Sequence, residues 1–256
     1  MPNTALITGA SSGIGREFAR YHAAKGGDLI ITARRGAELD TLKTELEAAH
    51  NVTVTTVALD LGAAAGPAKL YKATKGHKID VLINNAGFGG HGNFIDRDLA
   101  ADLSMIDLNV KSLVALTHMV AKDMVANGGG KILNVSSTAA YMPGPLQATY
   151  FATKAYVSSF SQALAEELRD KGVTVTALEP GYVRTEFAAV ADLEGTGLVK
   201  QKGATAPEVA KFGYDAMLKG DLRAINEGQL RFMLNWVFPW LPRKTVLGMI
   251  RKMQAK

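Results

Sequence analysis

Cysteine is absent from the 256-residue chain, which excludes disulfides, thiol nucleophiles and cysteine-ligated zinc. The histidines show no ligand spacing, so no metal site is expected; His91, in Gly89-Gly90-His91-Gly92, reads as a surface histidine. No positively charged segment followed by an apolar run precedes the first strand-like stretch, so a cytoplasmic location is expected. Internal repeats and low-complexity segments are missing, as is any uninterrupted apolar run of the ~20 residues a bilayer-crossing helix needs. The net charge is +5. Lysines and arginines are nevertheless scattered along the chain and mixed with acids, with no basic run or nucleic-acid motif, so nucleic acid is not an expected partner. A mildly basic surface suits a small polyanionic ligand instead. The length fits one domain with ample core.

What is present is an alternation of strand and helix patterns. Strands are expected at 5–8, 29–33, 52–58, 79–84, 131–136 and 173–178, with a short seventh at 222–226. Helices are expected at 13–25, 37–49, 63–75, 99–127, 147–171 and 207–219. Such alternation predicts an α/β fold, a parallel sheet covered by helices on both faces. The first strand runs into Gly9-Ala10-Ser11-Ser12-Gly13-Ile14-Gly15. Glycines in a strand-to-helix turn let the backbone approach a phosphate, and the amide groups at the helix start favour its charge. The spacing G-x-x-x-G-x-G differs from the usual dinucleotide fingerprint G-x-G-x-x-G. An acid commonly stands at the end of the second strand to bind a ribose 2′-hydroxyl. Here that acid is missing and Arg34 and Arg35 follow Ala33. Arginine offers a planar fork of donors to a phosphate, so NADP(H) is expected in preference to NAD(H).

Tyr150 and Lys154 stand at i and i+4, and Ser137 lies thirteen positions before the tyrosine. Tyrosine and lysine at that spacing share a helix face. A free phenol has a pKa of about 10, and a neighbouring ammonium is expected to lower it. A serine hydroxyl at a strand end could hold a substrate oxygen while charge develops on it. Phenol, amine and hydroxyl together suit proton transfer to or from a carbonyl oxygen. Ser136 also stands there, but neighbouring strand residues face opposite ways.

These residues, with Asn84-Asn85-Ala86-Gly87, resemble the classical short-chain dehydrogenase/reductase family over nearly the whole chain. The resemblance implies a single-domain, doubly wound Rossmann-type sheet of about seven strands and hydride transfer between NADP(H) and a carbonyl or alcohol. It picks Ser137 rather than Ser136 and implies Ser137, Tyr150 and Lys154 as the catalytic set. Asn109 joins that set through a water relay, and Lys154 also bonds the nicotinamide ribose. It assigns cofactor contacts to Gly9, Ser11, Ser12, Gly13, Ile14, Gly15, Asp60, Leu61, Asn85, Ala86, Gly87, Pro180, Gly181, Val183 and Thr185, beside Arg34, Arg35, Tyr150 and Lys154. It further implies a homodimer or homotetramer formed through the two long helices. Thr153 and Phe151 depart from commoner family residues without removing a catalytic group. The alternative is a catalytically silent NADP-binding sensor or scaffold, which would ordinarily lack the tyrosine or lysine.

Two segments are read separately. Residues 182–203, with several glycines, are expected to form a lid over a fairly apolar carbonyl substrate. Residues 229–256 form an apolar, basic C-terminal extension containing Trp236, Phe238, Trp240 and Leu241 and interrupted by Pro239 and Pro242. Packing on the domain or on another subunit is the preferred reading; contact with a membrane surface is the less favoured one.

Overall fold

The computed structural model describes residues 3–256. Seven strands assemble into one parallel sheet in the order β3-β2-β1-β4-β5-β6-β9. In chain order these are β1 (Thr4–Thr8), β2 (Asp28–Ala33), β3 (Val54–Ala58), β4 (Val81–Asn84), β5 (Gly130–Val135) and β6 (Val173–Leu178). A two-strand pair, β7 (Val183–Arg184) and β8 (Ala204–Thr205), stands apart, and β9 (Arg223–Ala224) completes the main sheet. The intervening helices are α1 (Gly13–Ala23), α2 (Gly36–Ala49), α3 (Gly66–Ala73), α4 (Leu99–Ile106) and α5 (Leu113–Ala126). They are followed by α6 (Ala148–Leu168), α7 (Phe187–Val190), α8 (Ala206–Lys219), α9 (Gly228–Phe232) and α10 (Arg243–Gln254).

The strands are apolar on both faces because helices cover both. Ala5, Ile7, Leu29, Ile31, Val81, Ile83 and Leu133 join Phe18 of α1, Leu39 and Leu42 of α2 and Val209 and Met217 of α8 in one core cluster. Their alternating neighbours Leu6, Ile30, Leu82, Ile132 and Val175 join Leu70 of α3 and Leu116, Val120 and Met124 of α5 in another. Leu6, Ile7, Leu82 and Ile83 are fully enclosed, and each such side chain contributes about 1.5–3 kcal/mol by leaving water.

Register is direct: Ala5 pairs with Leu29 on one side and with Val81 on the other. The chain first winds outward through β2 and β3, then returns to the opposite side of β1 as β4. Strand order therefore reverses between β1 and β4, and the crevice at their carboxyl ends is where such folds bind ligands. The expected helix 99–127 is a single run with wide, π-type turns at Asp107–Ser112 between α4 and α5. Such local widening often accompanies functional sites, and Asn109 lies on it. The strand expected at 222–226 narrows to β9, paired with β6 at Ala177 and Leu178. The 182–203 segment is built from β7, α7 and turns, with Ala191 and Leu193 buried.

Candidate active site

A cavity of about 620 Å³ opens at the carboxyl ends of the central strands. Every site residue named from the sequence lines it except Gly15 and Asn109. At one end lies the glycine turn. Gly9 has φ +69° and Gly13 φ +54°, conformations that disfavour side chains. A Cβ at Gly9 would sit 2.8 Å from Asn85 Nδ2, and one at Gly15 would sit 2.3 Å from the Gly9 carbonyl oxygen. Gly15 thus packs helix against strand rather than lining the cavity.

Asn85 holds this turn: its Nδ2 donates to the carbonyls of Thr8 (3.0 Å) and Gly9 (3.2 Å). Thr8 Oγ1 in turn accepts from the amides of Asn85 and Ala86, each at 3.0 Å. Thr8, where the first strand runs into the glycine turn, is therefore a site-building residue.

Arg35 donates from Nε (3.3 Å) and a terminal nitrogen (3.2 Å) to Ser11 Oγ. It also pairs with Glu186 at 3.1 Å, with both side chains well exposed, so the pair contributes little stability. Arg34 is exposed beside it. Glycine cradle, Ser11, Ser12 and two arginines form a set that fits the phosphates of a nicotinamide dinucleotide, since room and donors coincide. Asp60, at the same end, accepts from the Gly62 amide at 2.9 Å.

At the other end stand Ser137, Tyr150 and Lys154. Ser137 follows β5 and caps the short turn Thr138–Tyr141, its Oγ accepting from the Ala139 amide at 3.1 Å. Ser136 is occupied elsewhere, donating to the Lys154 carbonyl at 2.7 Å. Tyr150 and Lys154 lie on α6, both buried. Lys154 Nζ donates to the Val135 carbonyl at 2.9 Å and lies 5.7 Å from the Tyr150 ring centre. Burial pushes the Tyr150 phenol up to about 12, opposed by its interaction with the Ser137 side chain. Burial also brings the Lys154 ammonium down to about 8. The expected lowering of the phenol by Lys154 is thus corrected: desolvation outweighs any help from an ammonium that is itself enclosed.

Asn109, expected to join the catalytic set through a water relay, stands beside the cavity rather than in its lining. Its Oδ1 accepts from the Phe88 amide (3.1 Å), and its Nδ2 donates to the Phe88 carbonyl (2.9 Å) and Thr153 Oγ1 (3.2 Å). It sits behind Gly87, where a Cβ would approach Asn109 Oδ1 to 2.9 Å. The side chain holds the loop after β4 against α6.

Pro180 and Gly181 follow β6. The Pro180 carbonyl accepts from the Thr138 amide at 3.0 Å. Glu179, just before, is fully buried and bonded to Ser158, to Tyr141 (2.5 Å) and to Arg223 (3.2 Å). Its carboxyl is raised to about 7 by burial, opposed by Ser158. Glu179 anchors the segment that forms this wall, a role that no linear motif announced. Phe187 of α7 meets the Tyr150 ring at 5.4 Å between centres. Leu234, Phe238 and Ile250 from the C-terminal extension close the cavity with Phe151 and Met142. Among the described residues no cluster of His, Asp or Glu could hold a metal ion.

Comparison with known proteins follows the same lines. A family model described as short chain dehydrogenase matches residues 3–194. The human very-long-chain 3-oxoacyl-CoA reductase is 34% identical over 190 residues, covering 73% of this chain and 61% of that protein. The chain thus spans about three-fifths of the length of this curated relative. A short-chain dehydrogenase from Sphingobium yanoikuyae, solved with NADPH, superposes with a TM-score of 0.86 at 31% identity, covering 100% of this chain and 99% of that one. A bulky-bulky ketone specific alcohol dehydrogenase from Comamonas testosteroni gives a TM-score of 0.80 at 28% identity, with 100% and 97% coverage.

Proposed function

Because the chain belongs to the short-chain dehydrogenase family of oxidoreductases, we propose that it is an NADP(H)-dependent carbonyl reductase, able to run in reverse as an alcohol dehydrogenase. The observation that carries this reading is the convergence of Ser137, Tyr150 and Lys154 on one cavity whose far end is the glycine cradle with Arg34 and Arg35. The cradle, Ser11, Ser12 and the arginines would hold the dinucleotide; when bound, its nicotinamide supplies the hydride.

The remaining chemistry is the chain's own. Ser137 Oγ holds the substrate carbonyl oxygen, where negative charge develops during reduction. Tyr150, protonated across the neutral range by its burial, gives its proton to that oxygen. Lys154 keeps a positive charge beside the forming phenolate and limits its cost. Phe151, Phe187 and Leu234 exclude water and orient the carbonyl. Changing Tyr150 to Phe should abolish turnover of ketones while NADPH still quenches or enhances fluorescence on binding; undiminished turnover would refute the assignment.

The substrate is read as a bulky, apolar ketone. The walls contributed by Phe88, Met142, Phe151, Phe187, Leu234 and Phe238 favour apolar surface, and two of the named relatives are a very-long-chain 3-oxoacyl-CoA reductase and a bulky-bulky ketone specific alcohol dehydrogenase. Residues 182–203 act as the lid: Phe187 already touches the Tyr150 ring. The chain is further read as a homodimer or homotetramer packed through α4, α5 and α6. Leu99, Leu103 and Tyr156 on those helices are 62%, 51% and 44% exposed, an arrangement that a helix pair from a second copy would cover. Light scattering should return a multiple of 27.2 kDa; a monomer at micromolar concentration would reject this.

A further inference from the structure

We propose that residues 228–256 form a docking surface for an anionic phospholipid bilayer. The charge of the chain is concentrated there. This segment carries six Lys and Arg and no Asp or Glu, while residues 1–227 carry 23 basic residues against 24 acidic. The whole positive excess of the protein therefore resides in its last 29 residues. Arg231, Arg243, Lys244, Arg251 and Lys252 are exposed. Among the described residues none of these five enters an ion pair; only Lys256 does, with Asp192.

The same segment exposes the largest aromatic surface. Trp236 and Trp240, both tryptophans of the chain, are 69% and 84% exposed, and Phe232 is 59% exposed. These three recur every four residues along α9 and the turns that follow it. A step of two residues rotates a helix by roughly half a revolution. Accordingly Leu230, Leu234 and Phe238, interleaved with them, line the cavity instead. One face of this segment is core and the other presents aromatics to solvent.

Arg243 and Lys244 open α10 three and four residues after Trp240. Cations at a helix N-terminus oppose the helix dipole, so helix stability does not explain their position; attraction to an anionic surface does. Tryptophan prefers the level of the lipid headgroups, with its ring apolar and its N–H wet. Pairing with a second copy is disfavoured, because a self-complementary contact would bring like charges together without any acid between them. Among the described residues no helix is long and apolar enough to cross a membrane, so the contact is peripheral. Met249 lines the cavity yet is 46% exposed, marking the rim on this side. Resting on the carbonyl-reductase reading, docking would present the cavity mouth to the bilayer and let an apolar ketone enter from it.

The test uses the full chain with vesicles of phosphatidylcholine alone or containing roughly 30% phosphatidylserine, a composition that sets a negative surface potential. The protein should co-sediment with the anionic vesicles, its tryptophan emission should shift to the blue, and both effects should fade near 0.5 M salt, where the Debye length shrinks to about 4 Å. Since both tryptophans lie in the patch, the emission reports on it alone. The double variant Arg243→Glu/Lys244→Glu should lose about tenfold or more in vesicle partitioning while keeping its thermal midpoint and its turnover of a water-soluble ketone. Equal partitioning onto neutral and anionic vesicles, or none, would overturn the proposal. So would a concentration-dependent blue shift without lipid, which would assign the patch to a second copy. Vesicle binding without reduction of any ketone would sink the reductase reading and leave the docking surface standing.

Discussion

Tyr150 and Lys154 are moved in opposite directions by one cause, removal from water. The phenol, near 12, stays protonated throughout the working range, so it does not set an alkaline limit to reduction below about pH 10. Lys154, near 8, does. As pH rises through about 8 the ammonium is lost and with it the stabilisation of the forming phenolate. Reduction, followed as kcat/KM, should therefore fall on the alkaline side of about 8, and a flat profile from about pH 6 to 9.5 would contradict the role given to Lys154. The same shift has a stability counterpart. Between about 8 and 10.4 the unfolded chain holds the Lys154 proton and the folded chain does not, so this group's contribution to stability rises with pH across that window. The Tyr150 contribution runs the other way between about 10 and 12. At the opposite end, Arg35 already bonds Ser11 and Glu186. Changing Arg35 to Ala removes a charge-assisted donor of about 1.5–3 kcal/mol. NADPH should then bind about tenfold or more weakly by fluorescence titration while NADH changes little; equal losses for both would reject the NADP preference.

The turn between β1 and α1 shows why an element can depend on one missing side chain. Gly15 is enclosed by the Gly9 carbonyl and Asn85 Nδ2, at 2.3 and 2.4 Å from the position of a Cβ. The carbonyl neighbour is backbone and cannot rotate away. Gly15→Ala should therefore push α1 off the sheet, costing about 1–3 kcal/mol of stability. The lower melting temperature should be accompanied by weaker NADPH binding, because the cradle moves with the helix start; a melting temperature matching that of the unaltered chain would show the turn to be more yielding. The wide turns at Asp107–Ser112 belong to the same scale. They bring Asn109 under the loop after β4, where it fastens both the amide and the carbonyl of Phe88. Helix periodicity at 99–127 foretold the helix but not this irregularity, since apolar spacing averages over a single inserted residue.

Across the whole molecule, the alternation of apolar strands with amphipathic helices was enough to foresee a parallel sheet covered on both faces, and six of its seven main strands were placed within a few residues. The seventh, β9, narrows to Arg223 and Ala224, paired with β6. The 620 Å³ cavity could not be read from any one stretch. Its walls come from the segments that follow β1, β4, β5 and β6, from α6 and α7 and from the C-terminal helices, so it exists only once the sheet has gathered its strand ends. The C-terminal segment illustrates the division most fully: its composition left packing and surface contact as competing readings, whereas in the folded chain its two faces do different things, Leu234 and Phe238 inward and Trp236 and Trp240 outward. Local pattern by itself determined the sheet class and the glycine turn and paired Tyr150 with Lys154 on one helix face, because each is written in spacings of a few residues; the choice of Ser137 came from the family resemblance. Tertiary structure alone decided the protonation tendencies of Tyr150 and Lys154, the anchoring duties of Asn109, Glu179 and Thr8, and the shape of the cavity. Those depend on burial and on contacts between residues far apart in the sequence, as between Thr8 and Ala86, 78 positions apart, which no short-range pattern encodes.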